Sequence, residues 1–304
     1  DDYNYSWEKA WEITIKVFAY TNHTIMAEAL EKWSVDLFAP ILPRIYTIIR
    51  EINNRFCQYC NEIGAASDLE SMSIIHNNMI RMANLCIVGS YNVNGVSGLH
   101  TDILKADTFE AFNRIYPGKF NNVTNGIAHR RWLGQANPEL TNYLNGLLGG
   151  DFIKDLSNIE ELLKYADDKT VLADLEKIKY TKKEQLAKYI KDANGINVDI
   201  NSIFDVQVKR LHEYKRQLLN ALHIVYLYRQ IKFNGLRPRP RTFIFAAKAS
   251  SGYVMAKNII KFICTLSEMI EADPLVRDYI KVVFLEDYRV TLAEIIIPGA
   301  NVSE

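Results

Sequence analysis

The chain has 304 residues, 48% of them hydrophobic, enough to bury a sizeable core in two domains or one large one. Its 36 lysines and arginines balance 36 acids, which excludes a global field drawing nucleic acid, a membrane surface or an acidic partner, so any anion site must be local. Charge breaks the apolar runs well short of the roughly 18 residues a membrane span needs, and residues 1–20 lack a signal-peptide pattern; a cytoplasmic protein is expected.

From residue 6 to about 115 the periodicity is helical. "SWEKAWEITIKVFAY" repeats apolar residues at Trp7, Trp11 and Ile15, and "ILPRIYTIIREINNRF" continues in kind. Cys57 and Cys60 form a CxxC that a redox or zinc site could use, but no second pair accompanies it, and on a helix the two thiols simply lie one turn apart. "GSYNVNGVSGLH" and "FNNVTNGIAHRRWL" interrupt the pattern as loops rich in Asn and Gly. Residues 137–195 return to charged helices, with capping boxes expected at Ser157-Glu160 and Thr181-Glu184 and a solvated face of Lys and Glu.

After residue 200 the period changes. "SIFDVQV", "RTFIFAA" and "IKVVFLE" have strand length. They alternate with the amphipathic "KRQLLNALHIVYLYRQIK" and "YVMAKNIIKFICTLSEMI", the latter with Met255, Ile259, Phe262, Leu266 and Met269 on one stripe. This predicts an α/β fold in which a buried parallel sheet is built by right-handed βαβ crossovers.

Ligands of such sheets collect beyond the carboxyl ends of the strands. Three basic segments qualify: Lys209 to Lys215, "KASSGY" (248–253) and "EDYRV" (286–290). In "VQVKRLHEYKRQ", Lys209, Arg210, Lys215, Arg216 and His212 face one acid, Glu213. Cations there oppose the helix dipole, and two of them about 5 Å apart repel by roughly 3 kcal/mol at an effective dielectric near 20. A phosphate answers both problems, because Arg can fork onto it, Lys supplies a point charge and the helix end adds N–H donors. Taken singly, Lys215 and Arg216 read as solvated side chains; the three basic strand ends together favour an anion pocket.

Other chemistries are weaker. The six histidines show no HExxH and no serine sits in a GxSxG elbow, nor is there a GxGxxG or a Walker loop. No metal site is expected. His223 reads as a core or helix-surface histidine. His23, in "AYTNHTIM", stands in a polar cluster suited to a hydroxyl-rich ligand or to an ordinary helix-end turn, and Asn125, in "NVTNGIA", has the same two readings.

"VFAYTNHT", "EALEKWSVDLFAPILPRIYTIIREINNRF", "VNGVSGLHTDILK", "VTNGIAHRRWL", "FDVQVKRLHEYKRQLLN" and "VVFLEDYRVTLAEIIIPGANVSE" resemble the α-glucan (glycogen and maltodextrin) phosphorylases, in the family's order and over essentially the whole chain. The resemblance implies the end of a helical N-terminal, glucan-binding lobe over residues 1–131. Residues 132–304 would begin a Rossmann-like C-terminal lobe, giving a two-lobed GT-B build with a cleft between the lobes in the whole enzyme. It implies a pyridoxal 5'-phosphate enzyme, homodimeric when whole. Such an enzyme cleaves the terminal α-1,4 link of glycogen or maltodextrin with inorganic phosphate, releasing α-D-glucose 1-phosphate with retention. By position, Lys209 contacts the cofactor phosphate, Trp132, Tyr288 and Arg289 line the cofactor pocket, and Arg210 and Lys215 hold the substrate phosphate. His23 and Asn125 hydrogen-bond the glucosyl unit, Tyr214 lies near it, and Tyr253 near the entrance. His23, Arg210 and Lys215 are the expected catalytic set.

The chain also departs from the family pattern. The family's Schiff-base lysine lies in a Gly-rich motif after the segment matched by "GANVSE", so no lysine here takes that role, and a long N-terminal portion precedes the segment matched by residues 1–20. The expectation is an internal fragment, inactive alone. Ala128-His129 stand where many members have Thr-Pro, and "AAKASSGY" replaces a Gly- and Pro-richer loop, which changes loop freedom around Tyr253. Two other readings compete: a nucleotide-sugar glycosyltransferase of similar build and a non-catalytic glucan- or phosphate-binding protein.

Overall fold

The computed structural model describes residues 3–150 and 152–304. The chain divides into two compact units, Asp1–Ile127 and Ala128–Glu304.

The first unit opens with α1 (Trp7–Val17), whose start is capped by Ser6 accepting from the Lys9 N–H, and runs into β1 (Ala19–Thr21). β2 (Lys32–Ser34) leads to α2 (Val35–Ile41) and α3 (Pro43–Glu62). The two helices part at Leu42, φ −128°, because a residue before proline is pushed out of helical geometry while proline itself suits the first helical turn. After α4 (Leu69–Met72), β3 (Ile75–His76) and β4 (Met79–Arg81) form a hairpin. Asn77 and Asn78 turn it with φ of 48° and 60°, the left-handed pair of a type I′ turn. α5 (Met82–Gly89), β5 (Asn92–Gly95), α6 (Gly98–Ile103), α7 (Glu110–Ile115) and β6 (Phe120–Asn122) complete the unit.

β1, β5 and β6 pair in parallel in the order β1-β5-β6. The reading of residues 6–115 as helical therefore missed a parallel sheet. Its strands are three or four residues long and carry sequences such as "NVNG" and "FNN", too short and polar to show alternation. α3 packs on this unit's core through Ile49, Phe56 and Cys60, against Ile80, Val93, Phe112 and Phe120. Cys57 and Cys60 both lie on α3, and burial first of all pushes the Cys60 thiol up to about 11, which leaves it unreactive.

The second unit begins with α8 (Pro138–Leu148), closed by Gly149 in the left-handed region, and α9 (Lys169–Asn194). The sheet and its helices follow as β7 (Ile203–Val208), α10 (Gln217–Asn234), β8 (Arg241–Ala246), α11 (Val254–Glu271), β9 (Ile280–Leu285), α12 (Val290–Gly299) and β10 (Val302–Ser303). All four strands are parallel, in the order β10-β7-β8-β9. α10 and α11 cover one face, meeting Phe243, Phe245, Ile280 and Val282, whereas α9 and α12 cover the other, meeting Phe204, Val206, Ile244 and Val283. Alternate residues of β8 thus serve opposite faces, and the expected α/β sheet is doubly covered.

Three local expectations fail. Neither capping box caps: α9 starts at Lys169 with Asp168 accepting from the Thr170 and Val171 N–H groups, so Thr181 is mid-helix and donates its hydroxyl to the Lys177 carbonyl. At Ser157 the capping group is Asp155, which accepts from the Ser157 N–H. The charged face of α9 is not all solvated, since Lys182 and Lys183 are buried. Lys182 pairs with Glu139 at 2.5 Å and Lys183 donates to the Ser202 carbonyl at 2.6 Å. On α11 the buried stripe is Ala256, Ile259, Ile263, Leu266 and Ile270, with Met255 and Met269 exposed. Among the described residues no helix is long and apolar enough to cross a membrane.

Asp273, just beyond α11, ties that helix to α10. Its Oδ2 accepts from Tyr228 Oη at 2.6 Å and Lys232 Nζ at 2.7 Å, and its Oδ1 from the Leu275 N–H. The Lys232 hydrogen bond, then that of Tyr228, holds this carboxyl down to about 2. A depressed folded-state pKa contributes stability that is complete above the unfolded value near 4 and is lost as pH falls toward the folded value. Asp273→Asn should therefore lower the melting temperature at pH 7, with the gap to wild type closing between about pH 4 and pH 2. Thermal melts showing a gap that does not change with pH would contradict this.

Candidate functional site

In the second unit, Val208, Ala246 and Leu285 end their strands in mutual register, so the segments beginning Lys209, Ala247 and Glu286 emerge side by side. β7 is also where the strand order reverses. The chain proceeds from β7 through β8 to β9 on one side and then returns by α12 to β10 on the other. This is the switch point at which open α/β sheets leave a crevice.

The loop from Lys209 to Arg216 is fixed along its length. The Lys209 N–H donates to the Ala246 carbonyl and the Leu211 N–H to the Lys248 carbonyl, while the Leu211 side chain is buried in the core. Glu213, the only nearby acid in sequence, is taken up by Tyr253: Tyr253 Oη donates to its Oε2 at 2.6 Å and accepts from its N–H at 3.3 Å. The His212 ring lies between Tyr214 and Tyr253, with centroids 4.5 and 5.2 Å away. The main-chain carbonyls of Arg210 and Lys215 accept hydrogen bonds from the side chains of Gln217 and Gln207. Arg216 has φ 62°, a left-handed geometry that costs a residue with a Cβ about 1 kcal/mol and marks a loop held in one shape.

None of Lys209, Arg210, Lys215 and Arg216 is ion-paired with a carboxylate among the described residues. The Lys209 ammonium is pushed below its ordinary pKa by burial first, then by Lys215 and Arg216, with Glu304 acting the other way. The three helices that follow the strands, α10, α11 and α12, all start without a side-chain cap, at Arg216, Tyr253 and Arg289. Uncapped helix N–H groups and crowded cations at one sheet end are the features from which anion sites are built.

Tyr288 and Arg289 follow β9. Tyr288 is half-buried against the core, and Arg289 is exposed and held to Asp287 at 3.1 Å, with Lys248 Nζ 3.6 Å from the same carboxylate. Trp132 lies on the turn Arg130–Gln135, which Arg131 binds to Glu294 of α12 at 2.6 Å. The structure thus brings Lys209, Arg210, Tyr214, Lys215, Tyr253, Tyr288 and Arg289 to the carboxyl end of one sheet, and ties the Trp132 segment to α12. As a donor set these residues fit a phosphate-bearing cofactor, because Lys209, Arg210 and Lys215 have no carboxylate ion pair among the described residues and Tyr288 leaves the neighbouring strand end.

His23 and Asn125 belong to the first unit. Thr21, Asn94 and Asn121 are register partners across β1, β5 and β6, so the loops after these strands also leave side by side. Asn22, 1% exposed, donates its N–H to the Asn94 carbonyl and accepts from the Thr24 N–H, fixing the turn that presents His23 to solvent. The Asn125 N–H donates to the Val96 carbonyl, which sets Asn125 over the end of β5. Gly95 is required there, as a Cβ would stand 2.9 Å from the Thr101 Cα. The sequence reading missed Asn22, Asn94, Gln207 and Gln217: each is one polar residue in an unremarkable context, with no spacing to flag it.

A separate cavity of about 810 Å³ in the first unit is walled by Trp7, Trp11, Tyr59, Tyr91 and Tyr116 and contains neither His23 nor Asn125. Among the described residues no group of three or more His, Cys, Asp or Glu could hold a metal ion.

Comparison with known proteins decides the family. The carbohydrate phosphorylase family model matches residues 1–304. The chain belongs to the carbohydrate phosphorylase family. It is 50% identical to glycogen phosphorylase of Bacillus subtilis, 46% to the muscle form of Oryctolagus cuniculus and 43% to the cytosolic alpha-glucan phosphorylase 2 of Arabidopsis thaliana. These matches cover 98–100% of the chain but only 36–38% of the relatives. The chain therefore spans less than two fifths of the length of these phosphorylases.

If Lys209, Arg210, Lys215 and Arg216, which have no carboxylate ion pair among the described residues, form an anion site, inorganic phosphate should bind it with an affinity that falls as salt rises. Arg210→Ala and Lys215→Ala should each weaken binding about tenfold, the value of one charge-assisted hydrogen bond. Isothermal titration with phosphate checks this; equal affinity in wild type and both variants would contradict it.

Proposed function

We propose that this chain is part of a glucan phosphorylase that transfers the terminal glucosyl unit of an α-1,4-glucan, such as glycogen or maltodextrin, to inorganic phosphate. The observation that carries the reading is the set of four cations without a carboxylate ion pair among the described residues, at the switch point of the second unit and beside uncapped helix starts. Its relatives, named as glycogen and alpha-glucan phosphorylases, agree with it. In the reaction the bond from C1 to the leaving glucan oxygen breaks and one from C1 to a phosphate oxygen forms, with retention, giving α-D-glucose 1-phosphate. The leaving oxygen takes a proton from inorganic phosphate, whose second ionisation lies near neutral pH and so suits that exchange.

In this reading Arg210 and Lys215 hold the substrate phosphate, and their charge stabilises the separation of charge in an oxocarbenium-like transition state. His23 and Asn125 donate to and accept from sugar hydroxyls and orient the glucosyl unit, with Tyr214 beside it. Lys209 would hold the phosphate of pyridoxal 5'-phosphate, with Trp132, Tyr288 and Arg289 lining its ring pocket. That cofactor supplies, when bound, a second phosphate group able to exchange a proton with the first. Positive charge on Lys209, Arg210, Lys215 and Arg216 keeps two such dianions together against their repulsion. Tyr253 shapes the approach through its hydrogen bond to Glu213.

The test is release of glucose 1-phosphate from maltooligosaccharides by the full-length protein that carries this chain. Release should require both inorganic phosphate and the cofactor. His23→Ala and Asn125→Ala should each lower kcat/KM for the glucan about 10- to 100-fold. Turnover that needs a nucleoside diphosphate sugar in place of phosphate would overturn the proposal in favour of a glycosyltransferase, and glucan binding without turnover would reduce it to a binding protein.

A further inference from the structure

The loop that carries Arg210 and Lys215 is restrained by two buried amides. Gln207, the next-to-last residue of β7 and 5% exposed, donates its Nε2–H to the Lys215 carbonyl at 3.2 Å, and its Oε1 accepts from Asn220 Nδ2 at 3.1 Å. Gln217, the first residue of α10 and 1% exposed, donates its Nε2–H to the Arg210 carbonyl at 3.2 Å. Its Oε1 is buried with no hydrogen-bond partner.

Four cations with no carboxylate ion pair among the described residues push the loop apart whenever no anion is present. A carboxylate would hold the loop but would also cancel the charge the site needs, whereas an amide N–H restrains the main chain and leaves the cations uncompensated. The unpaired Gln217 Oε1 strengthens the argument. Burying an acceptor without a partner is a cost that an apolar side chain of the same volume would avoid, so the donor end is retained against stability. Arg216, with φ 62°, follows the anchored Lys215 carbonyl and directly precedes the buried Gln217, and a loop restrained on both sides of that residue keeps the left-handed geometry.

We infer that Gln207 and Gln217 are positioning residues for the substrate phosphate, fixing Lys215 and Arg210 through their main-chain carbonyls. The inference rests on the phosphorylase reading of those two cations. It extends that reading from the groups that touch phosphate to the neutral ones that aim them.

The test uses the full-length, cofactor-loaded enzyme with Gln207→Met and Gln217→Met, which keep side-chain length and lose the donor. The expected result is a KM for inorganic phosphate raised about tenfold, with the KM for maltooligosaccharide within about twofold of wild type. In an Arg210→Ala background, Gln217→Met should cost no further phosphate affinity, because the residue it positions is gone. If Gln217→Met fails to fold, Gln217→Asn keeps the amide but cannot reach the Arg210 carbonyl, and the same rise is expected of it. A phosphate KM unchanged in these variants, equal rises for phosphate and glucan, or an additive loss in the Arg210→Ala background would each overturn the inference. Titration with inorganic phosphate alone separates it from the reading beneath it. If wild type binds phosphate but does not turn over, the phosphorylase reading fails while a loss of phosphate affinity in the glutamine variants still supports positioning. If wild type turns over and the variants bind phosphate as tightly as it does, positioning alone fails.

Discussion

Repulsion among Lys209, Arg210, Lys215 and Arg216 is the constraint around which the second unit is organised. Four like charges within eight residues, with no carboxylate ion-paired to any of them among the described residues, are unfavourable in an empty loop and favourable around an anion. The fold holds them through neutral contacts. A parallel sheet sets the end of β7 beside those of β8 and β9, backbone hydrogen bonds tie the loop to the segment after β8, and Leu211 anchors it in the core. Even the one acid of the loop is diverted to a tyrosine hydroxyl. Positive potential is thereby concentrated at one place in a chain whose formal net charge is zero.

The second unit was largely legible because its strands are six-residue apolar runs buried on both faces and separated by helices of crossover length. Such runs announce themselves without help from tertiary context. The sheet of the first unit was not legible: β1, β5 and β6 hold three or four residues each, several of them asparagine, and earn their place by pairing and loop geometry. Helix boundaries in α9 misled for a related reason. Thr181 and Glu184 have capping-box spacing, yet Asp168 thirteen residues before Thr181 starts the helix, and a lysine such as Lys183 is buried by finding a carbonyl, which no periodicity foretells.

The candidate site divides along the same line. The basic loop was visible as charge, and the ends of the three apolar runs indicated where it would lie. His23 and Asn125 stood out in sequence only as polar residues at turns, and their pairing as ligand groups came from the family resemblance. Gln207 and Gln217 carried no signal, since a single glutamine becomes informative only when its neighbours, its burial and its hydrogen bonds are known. Charge clusters and long apolar runs are local properties of a chain; the supports that aim a functional side chain are made in three dimensions.

The central claim, that the end of β7 is an anion site, is tested most directly by anomalous diffraction from crystals of the chain soaked in tungstate, a heavy analogue of phosphate. The account predicts one strong peak within hydrogen-bond reach of Lys209 and of Arg210 or Lys215, beside the start of α10. A crystal with that loop open to solvent, a peak elsewhere and none at the loop would contradict it.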